Sequence, residues 1–481
     1  MNYKMIRYIL GSLLMVMGAL FLLPILTALI YRESCVFRFL AAAAICLLIG
    51  FLMRRNKTKN TRIYATEGYV AVALSWIVMS IFGAMPLYFS GFYPNPIDAL
   101  FETVSGFTTT GATILSDVEC LPKAVLIWRS FTHWIGGMGV LVFILAILPV
   151  AGGSSMHLMR AESPGPAVGK LVPKIRSTAK ILYGLYIAMT ILMMILLIIA
   201  GAPVFDSINL ALSTAGTGGF GFLNDSAASY NSTIKIIITV FMTLFGINFN
   251  VYFFLYAGSV KAALKCEEMR VYLGIIVVFS LIIGFDIMGM YAAPGEAFID
   301  SFFQVSSIIT TTGFSTTDFD LWPSLSKSLL VLLMFIGACA GSTGGGMKVS
   351  RIIIMFKSIG KEISSITHPR IVKKIHLEYK PVEHEVLRSV NVFVMAYLFL
   401  FVGSLLIISA EGKDLVTNFT AVATTINNVG PGLSKVGPIC NFGHYSNLSK
   451  LVFIFNMLAG RLELFPMLVL CTPGVWRKSR R

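Results

Sequence analysis

The sequence predicts an all-α polytopic membrane protein. Ten transmembrane helices and four re-entrant pore half-helices would form four pseudo-symmetric helix–pore-loop–helix repeats around one pore. Three observations carry this expectation. First, 56% of the 481 residues are apolar and only 13% are charged, against roughly 45–50% and 25% in soluble domains. A chain so poor in charge cannot cover its own surface in water. Second, apolar runs of about 20 residues, the length that crosses a bilayer, recur along the chain. Third, a short motif running into glycine recurs between them. The composition excludes a soluble enzyme, a disordered tail and a secreted disulfide scaffold. The seven cysteines are scattered without a C-x-x-C pair, which reads as apolar filler rather than a metal or redox centre.

In chain order the spans fall near 8–30, 36–53, 69–90, 124–150, 181–201, 235–258, 271–292, 326–350, 389–410 and 450–472. The first follows Lys4 and Arg7 as a signal peptide would, but its apolar stretch is longer than an h-region and lacks an A-x-A cleavage site. It reads as a retained helix. The spans divide into an N-terminal two-helix extension (1–68) and repeats at 69–150, 151–258, 259–388 and 389–481. The third repeat carries an intramembrane loop at 337–348 and a cytoplasmic loop.

Charge placement tests this layout. Alternate loops at 1–7, 54–67, 151–180, 259–270, 348–388 and 473–481 carry 28 Lys and Arg with eight acidic residues, whereas the opposite side carries nine basic and 14 acidic residues. Basic residues concentrate on the cytoplasmic side of membrane proteins, so both termini are expected in the cytoplasm. The net charge of +15 then marks orientation and not a nucleic-acid partner.

Four connections on the other side are too apolar, and too alike, to be ordinary loops. They run from Asp98 through Thr109, Thr110 and Gly111; from Asp206 through Thr217 and Gly218; from Asp300 through Thr311, Thr312 and Gly313; and from Asn418 through Asn428, Val429 and Gly430. Each starts polar, continues for about two helical turns and ends in small polar residues before glycine. Irregular backbone at membrane depth is tolerated only where protein buries it or it lines a watery cavity. Asp98, Asp206 and Asp300 are expected to cap the half-helices. The glycines, tolerant of positive φ and of close backbone approach, would turn carbonyl oxygens inward, and four such strands would replace the water shell of a monovalent cation.

Two intramembrane features stand apart. Gly337–Lys348 contains Gly341, Gly344, Gly345 and Gly346, and glycine costs a helix interior about 1 kcal/mol each. The segment reads as a broken helix that gates the pore, or as a close helix contact made by small residues. Arg461 lies within the last span, where arginine costs about 2.5–3.5 kcal/mol unless it faces protein or water. It is either neutralised by a carboxylate or carbonyls of another helix, or placed as a fixed charge beside the ion path. Glu463, two residues on, does not share its helix face. Glu102 either supports the first filter strand from behind or faces the outer mouth. Asp286 either attracts cations or bonds a neighbouring helix, and Asn248 and Asn250 read as interhelical glue. The six histidines show no metal spacing, and G-x-S-x-G, Walker A and dinucleotide-binding motifs are absent, so no enzyme activity is expected.

Thr109-Thr110-Gly111, Gly218-Gly219-Phe220, Thr311-Thr312-Gly313-Phe314-Ser315-Thr316 and Asn427-Asn428-Val429-Gly430-Pro431-Gly432-Leu433 resemble the four filter strands of the TrkH subunits in the Trk/Ktr/HKT potassium-transporter superfamily. The resemblance spans essentially the whole chain, and the helix pair before residue 69 favours TrkH over the shorter Ktr-type subunit. It implies a potassium pathway, because plant relatives that prefer sodium carry serine where this chain has Gly111. It also implies that the 337–348 loop moves as a gate, that Lys348 matches a basic family position and that Arg461 lies beside the conduction path. A homodimer with one pore per protomer and a cytoplasmic TrkA-like subunit binding NAD(H) and adenine nucleotides are implied likewise. No cofactor is expected in this chain; potassium is its substrate. The expected function is gated, channel-like potassium uptake across the bacterial inner membrane, with an H+- or Na+-coupled symporter as the alternative.

Overall fold

The computed structural model describes residues 1–55, 64–139, 175–369, 374–378 and 380–476. Part of the predicted span 124–150, the boundary at 150/151 and most of the basic segment 151–180 lie outside the described residues. The chain is mostly helical. Among the described residues, six helices are long and apolar enough to cross a membrane: Tyr3–Ile30, Val36–Arg54, Ala65–Phe89, Lys180–Ile199, Glu267–Met290 and His384–Ser409. Each overlays a predicted span.

The other predicted spans are interrupted, and glycine marks each interruption. Lys123–Gly137 stops at a glycine pair. Ser232–Phe245 is followed by Gly246 and turns by 90° into Phe249–Tyr256. Ser324–Ile336 ends at Gly337, whose φ of 72° leaves the helical region. Asn447–Arg461, with Gly460 in its last turn, gives way at Glu463 and Leu464, both at positive φ, to Phe465–Cys471. The span 326–350, expected to break at 337–348, is helical as far as Ile336 and again from Val349. Helix Val349–Thr367 lies within what reads from sequence as the loop 348–388; its polar and apolar residues alternate with helical period, which a hydropathy window averages away.

Four shorter helices occupy the predicted half-helix positions: Pro96–Phe107, Val204–Gly216, Pro294–Ile309 and Leu415–Asn427. They are called pore helices one to four below, a label taken from the sequence expectation. Their starts differ from expectation. Asn95 caps the first by accepting from Ile97 N–H at 3.0 Å, and Asp98 stands in its first turn. Asp206 likewise stands in the first turn of the second, behind Pro203. Asp300 lies well inside the third, where it accepts from Tyr291 and Thr316 hydroxyls. The fourth is capped by Asp414, not at Asn418. Proline at or just before the first helical position explains the shift in the first three: it ends the extended approach and supplies no N–H needing a cap. The acidic residues in the first turns still offset the helix dipole.

These short helices close a ring. Pore helix one packs against Lys123–Gly137 and Asn447–Arg461, and pore helix two against Lys123–Gly137 and Ser232–Phe245. Pore helix three packs against Ser232–Phe245 and Ser324–Ile336, and pore helix four against Ser324–Ile336 and Asn447–Arg461. Each pore helix is wedged between the interrupted helix that follows it and the one that follows the preceding pore helix. Helix Tyr3–Leu20 lies outside this ring, against Val36–Arg54 and Ala65–Phe89.

Candidate functional site

All four pore helices end in the same turn. In the first, Thr110 N–H reaches Ser105 O at 2.9 Å. The equivalents are Gly218 to Ser213 at 3.0 Å, Thr312 to Ser307 at 2.8 Å and Val429 to Thr424 at 2.9 Å. The residue before each donor, Thr109, Thr217, Thr311 or Asn428, has φ of 53–58°. This left-handed helix end satisfies terminal carbonyls and redirects the chain. Two residues later comes a glycine at positive φ: Gly111 (78°), Gly219 (74°), Gly313 (84°) and Gly430 (100°).

The repeat corrects one assignment. Gly218 was expected to correspond to Gly111, but Gly219 does; Gly218 takes the place of Thr110, Thr312 and Val429. A Cβ on Gly218 would lie 2.1 Å from His133 Nδ1, so the histidine ring fills the volume that side chains occupy in the other strands. His133 Nδ1 donates to Gly106 O at 2.8 Å and its Nε2 accepts from Phe220 N–H at 3.2 Å, which ties pore helix one to the second strand. The dipeptide Gly219-Phe220, matching Gly313-Phe314, was the sequence signal for the true alignment.

The strands meet in cyclic order. A Cβ on Gly111 would lie 2.0 Å from Gly218 O, one on Gly219 1.9 Å from Thr312 O, one on Gly313 2.2 Å from Val429 O, and one on Gly430 2.7 Å from Thr110 O. A side chain at any of these positions collides with the next strand's backbone. Gly111, Gly219, Gly313 and Gly430 also line one polar cavity of about 110 Å³. Thr109, Thr217, Thr311 and Asn428 are fully buried. Asn428 Nδ2 reaches Thr110 Oγ1 at 3.0 Å and Met457 O at 2.9 Å, fastening the fourth strand to the first.

Glu102 resolves as a support from behind. It is buried and accepts from Arg129 Nε (2.9 Å) and Nη2 (2.7 Å), from Thr113 Oγ1 (2.9 Å) and from Ile114 N–H (3.2 Å). Arg129 also donates to Gly221 O at 3.1 Å and lies over the Phe220 ring. This pair joins the chain beyond the first glycine to the chain beyond the second, and Arg129 was not foreseen from sequence. Breaking a buried pair from one side costs about 3–5 kcal/mol. Arg129→Met therefore lowers the thermal unfolding temperature in detergent sharply, and an unchanged temperature would contradict the pair's role.

The loop Gly337–Lys348 is not helical and lies directly against the pore-helix ends. Gly345 N–H donates to Thr311 Oγ1 at 2.6 Å, and a Cβ there would stand 2.6 Å from Asn427 O. A Cβ on Gly344 would stand 2.9 Å from Thr310 O. Gly341 O accepts from Phe249 N–H at 3.0 Å, and Gly341 faces Asn248, which caps Phe249–Tyr256 rather than gluing two helices. Gly346 and Lys348 are both at positive φ. The buried Lys348 Nζ folds back to Gly344 O and, at 3.1 Å, Gly345 O. Backbone groups buried without helix partners need such bonds.

Arg461 completes the arrangement. Its guanidinium donates to Thr343 O at 2.8 Å, Gly136 O at 2.5 Å and Gly137 O at 2.8 Å. Carbonyls do hold it, as one sequence reading required, but they belong to the Gly337–Lys348 loop and to the end of helix Lys123–Gly137. Glu463 pairs instead with Arg351. Asp286 bonds Ser326 in the first turn of helix Ser324–Ile336, at 2.6 Å to its hydroxyl.

The family model for TrkH, described as a cation transport protein, matches residues 36–276 and 269–476. The chain belongs to this family. It is 39% identical over 99% of its length to the Trk system potassium uptake protein TrkH of Salmonella typhimurium, and 38% identical over 99% to that of Escherichia coli, covering 100% of each. The crystal structure of the potassium transporter TrkH from Vibrio parahaemolyticus matches with a TM-score of 0.89 at 36% identity, covering 99% of this chain and 100% of that one. The family transports ions and is not an enzyme family.

Proposed function

We propose that this chain is the potassium-translocating subunit of a Trk-type uptake system in a bacterial inner membrane. In this reading ten spans and four re-entrant half-helices form four repeats (69–150, 151–258, 259–388, 389–481) behind the extension 1–68, and both termini face the cytoplasm. Carbonyl oxygens around Thr109-Thr110-Gly111, Thr217-Gly218-Gly219, Thr311-Thr312-Gly313 and Asn428-Val429-Gly430 replace the ion's hydration shell. The single observation that carries the reading is the closed ring of glycine contacts, each strand's glycine meeting the next strand's carbonyl. The pore helices aim their carbonyl ends, each about half a negative charge, at that ring.

The loop carrying Gly341, Gly344, Gly345, Gly346 and Lys348 closes the path, and Arg461 holds it. The Gly345–Thr311 hydrogen bond supports a position of the loop on the inner side of the filter. A second copy of the chain and a cytoplasmic TrkA-like subunit binding adenine nucleotides complete the system; the relatives' names, which speak of a Trk system, support the presence of further components. The test is reconstitution in liposomes. Potassium flux is expected to follow the potassium electrochemical gradient at any imposed pH or sodium gradient. Flux in fixed stoichiometry with protons or sodium would make the chain a symporter instead.

A further inference from the structure

The intramembrane loop is fastened to the cytoplasmic side by one carboxyl group that the ion pathway does not use. Glu268, in the first turn of helix Glu267–Ile287, is buried, and a single oxygen, Oε1, accepts from Ala340 N–H at 2.7 Å and from Ser350 N–H at 2.9 Å. Those two residues flank Gly341–Lys348. One side chain therefore clamps both ends of the segment that lies under Thr311 and Asn428.

Glu268 is itself held by a short hairpin, His376–Leu377 paired with Lys380–Pro381. Glu378, in its turn, accepts from Glu268 N–H at 3.2 Å and from Cys266 Sγ at 3.2 Å. Lys357, on the helix that follows the loop, pairs with Glu267 and donates to His376 O at 2.8 Å. The hairpin, the residue pair 267–268 and the start of helix Val349–Thr367 thus form one hydrogen-bonded body. His376, Lys380 and Pro381 of the hairpin are exposed.

We infer that Glu268 is a positioning residue that latches the intramembrane loop closed, and that Glu378 of the hairpin holds Glu268 in its latching position. This rests on the reading of the loop as the gate. When the loop moves, both N–H bonds to Glu268 are lost, and buried N–H groups left without acceptors are unfavourable. The latch therefore biases the loop toward the closed state, and the bias weakens when Glu378 no longer holds Glu268 in place.

The experiment uses the full chain in liposomes with two readouts: potassium flux, and the rate at which a water-soluble maleimide modifies Cys339, followed by peptide-resolved mass spectrometry. Cys339 is fully buried in the loop. Glu268→Met removes both acceptor oxygens at similar volume; it is expected to raise both readouts about fivefold or more, as loss of hydrogen bonds of ordinary strength allows, with the potassium-to-sodium permeability ratio unchanged. Glu268→Gln, which keeps one carbonyl oxygen, falls between Glu268→Met and wild type. Glu378→Ala, at the half-exposed hairpin turn, raises both readouts in the same sense and adds little to Glu268→Met, because both act on one route. It also carries the test if Glu268→Met does not fold. Faster Cys339 modification with unchanged flux would sustain the latch while removing the loop from gating. Unchanged modification in both variants, or a flux increase accompanied by lost selectivity, would overturn the proposal.

Discussion

Gly219→Ala removes potassium flux almost entirely. The added methyl would sit 1.9 Å from Thr312 O, inside the contact distance of any carbon and oxygen, and alanine at φ of 74° costs roughly 1–2 kcal/mol on its own. The neighbouring strand is wedged by its own pore helix and has no direction in which to yield. At equal reconstituted amounts, flux is expected to fall at least about tenfold, the effect of some 1.4 kcal/mol. Gly218→Ala also fails, but for a different reason: its methyl meets the His133 ring. Shortening that ring to alanine should restore part of the flux in Gly218→Ala and none in Gly219→Ala. Near-wild-type flux in Gly219→Ala would show that the strands do not meet as described.

Arg461→Ala acts in the opposite direction and raises flux. The guanidinium ties the loop at Thr343 to the Gly136–Gly137 helix end through three carbonyls. Its charge also opposes any cation nearby, by about 4 kcal/mol at 4 Å for an effective dielectric of 20. Removing both effects is expected to raise flux several-fold to tenfold in liposomes. Arg461→Lys separates the two contributions. It keeps the charge but lacks the planar fork that spans three acceptors, so its flux is expected between wild type and Arg461→Ala. Equal flux in all three proteins would remove Arg461 from the gate.

Much of this site was legible because its logic is local. A helix end followed by a left-handed residue and a glycine needs only about ten consecutive residues, and the chain repeats that pattern at Gly111, Gly313 and Gly430. The second copy misled by one position because Gly218 and Gly219 are adjacent. Only the ring of His133, brought from the preceding repeat, explains why a second glycine is required. The starts of the pore helices were misplaced for a related reason: acidic residues mark helix N-termini in general, but prolines set the boundaries of the first three, and Asp414, four residues before Asn418, caps the fourth.

What the sequence alone determined is the solvent and the plan: a low charge content and repeated apolar runs demand lipid, and four glycine-terminated motifs demand four like turns. Those properties are carried by neighbours along the chain, whose geometry backbone sterics restrict before any tertiary contact forms. Tertiary structure decided the rest, namely that Gly430 meets Thr110, that Glu102 faces Arg129, that Arg461 reaches both Thr343 and Gly136, and that Glu268 clamps Ala340 and Ser350. Residues tens to hundreds of positions apart leave no periodicity in the chain, and a buried polar group settles on whichever partner packing brings within about 3 Å.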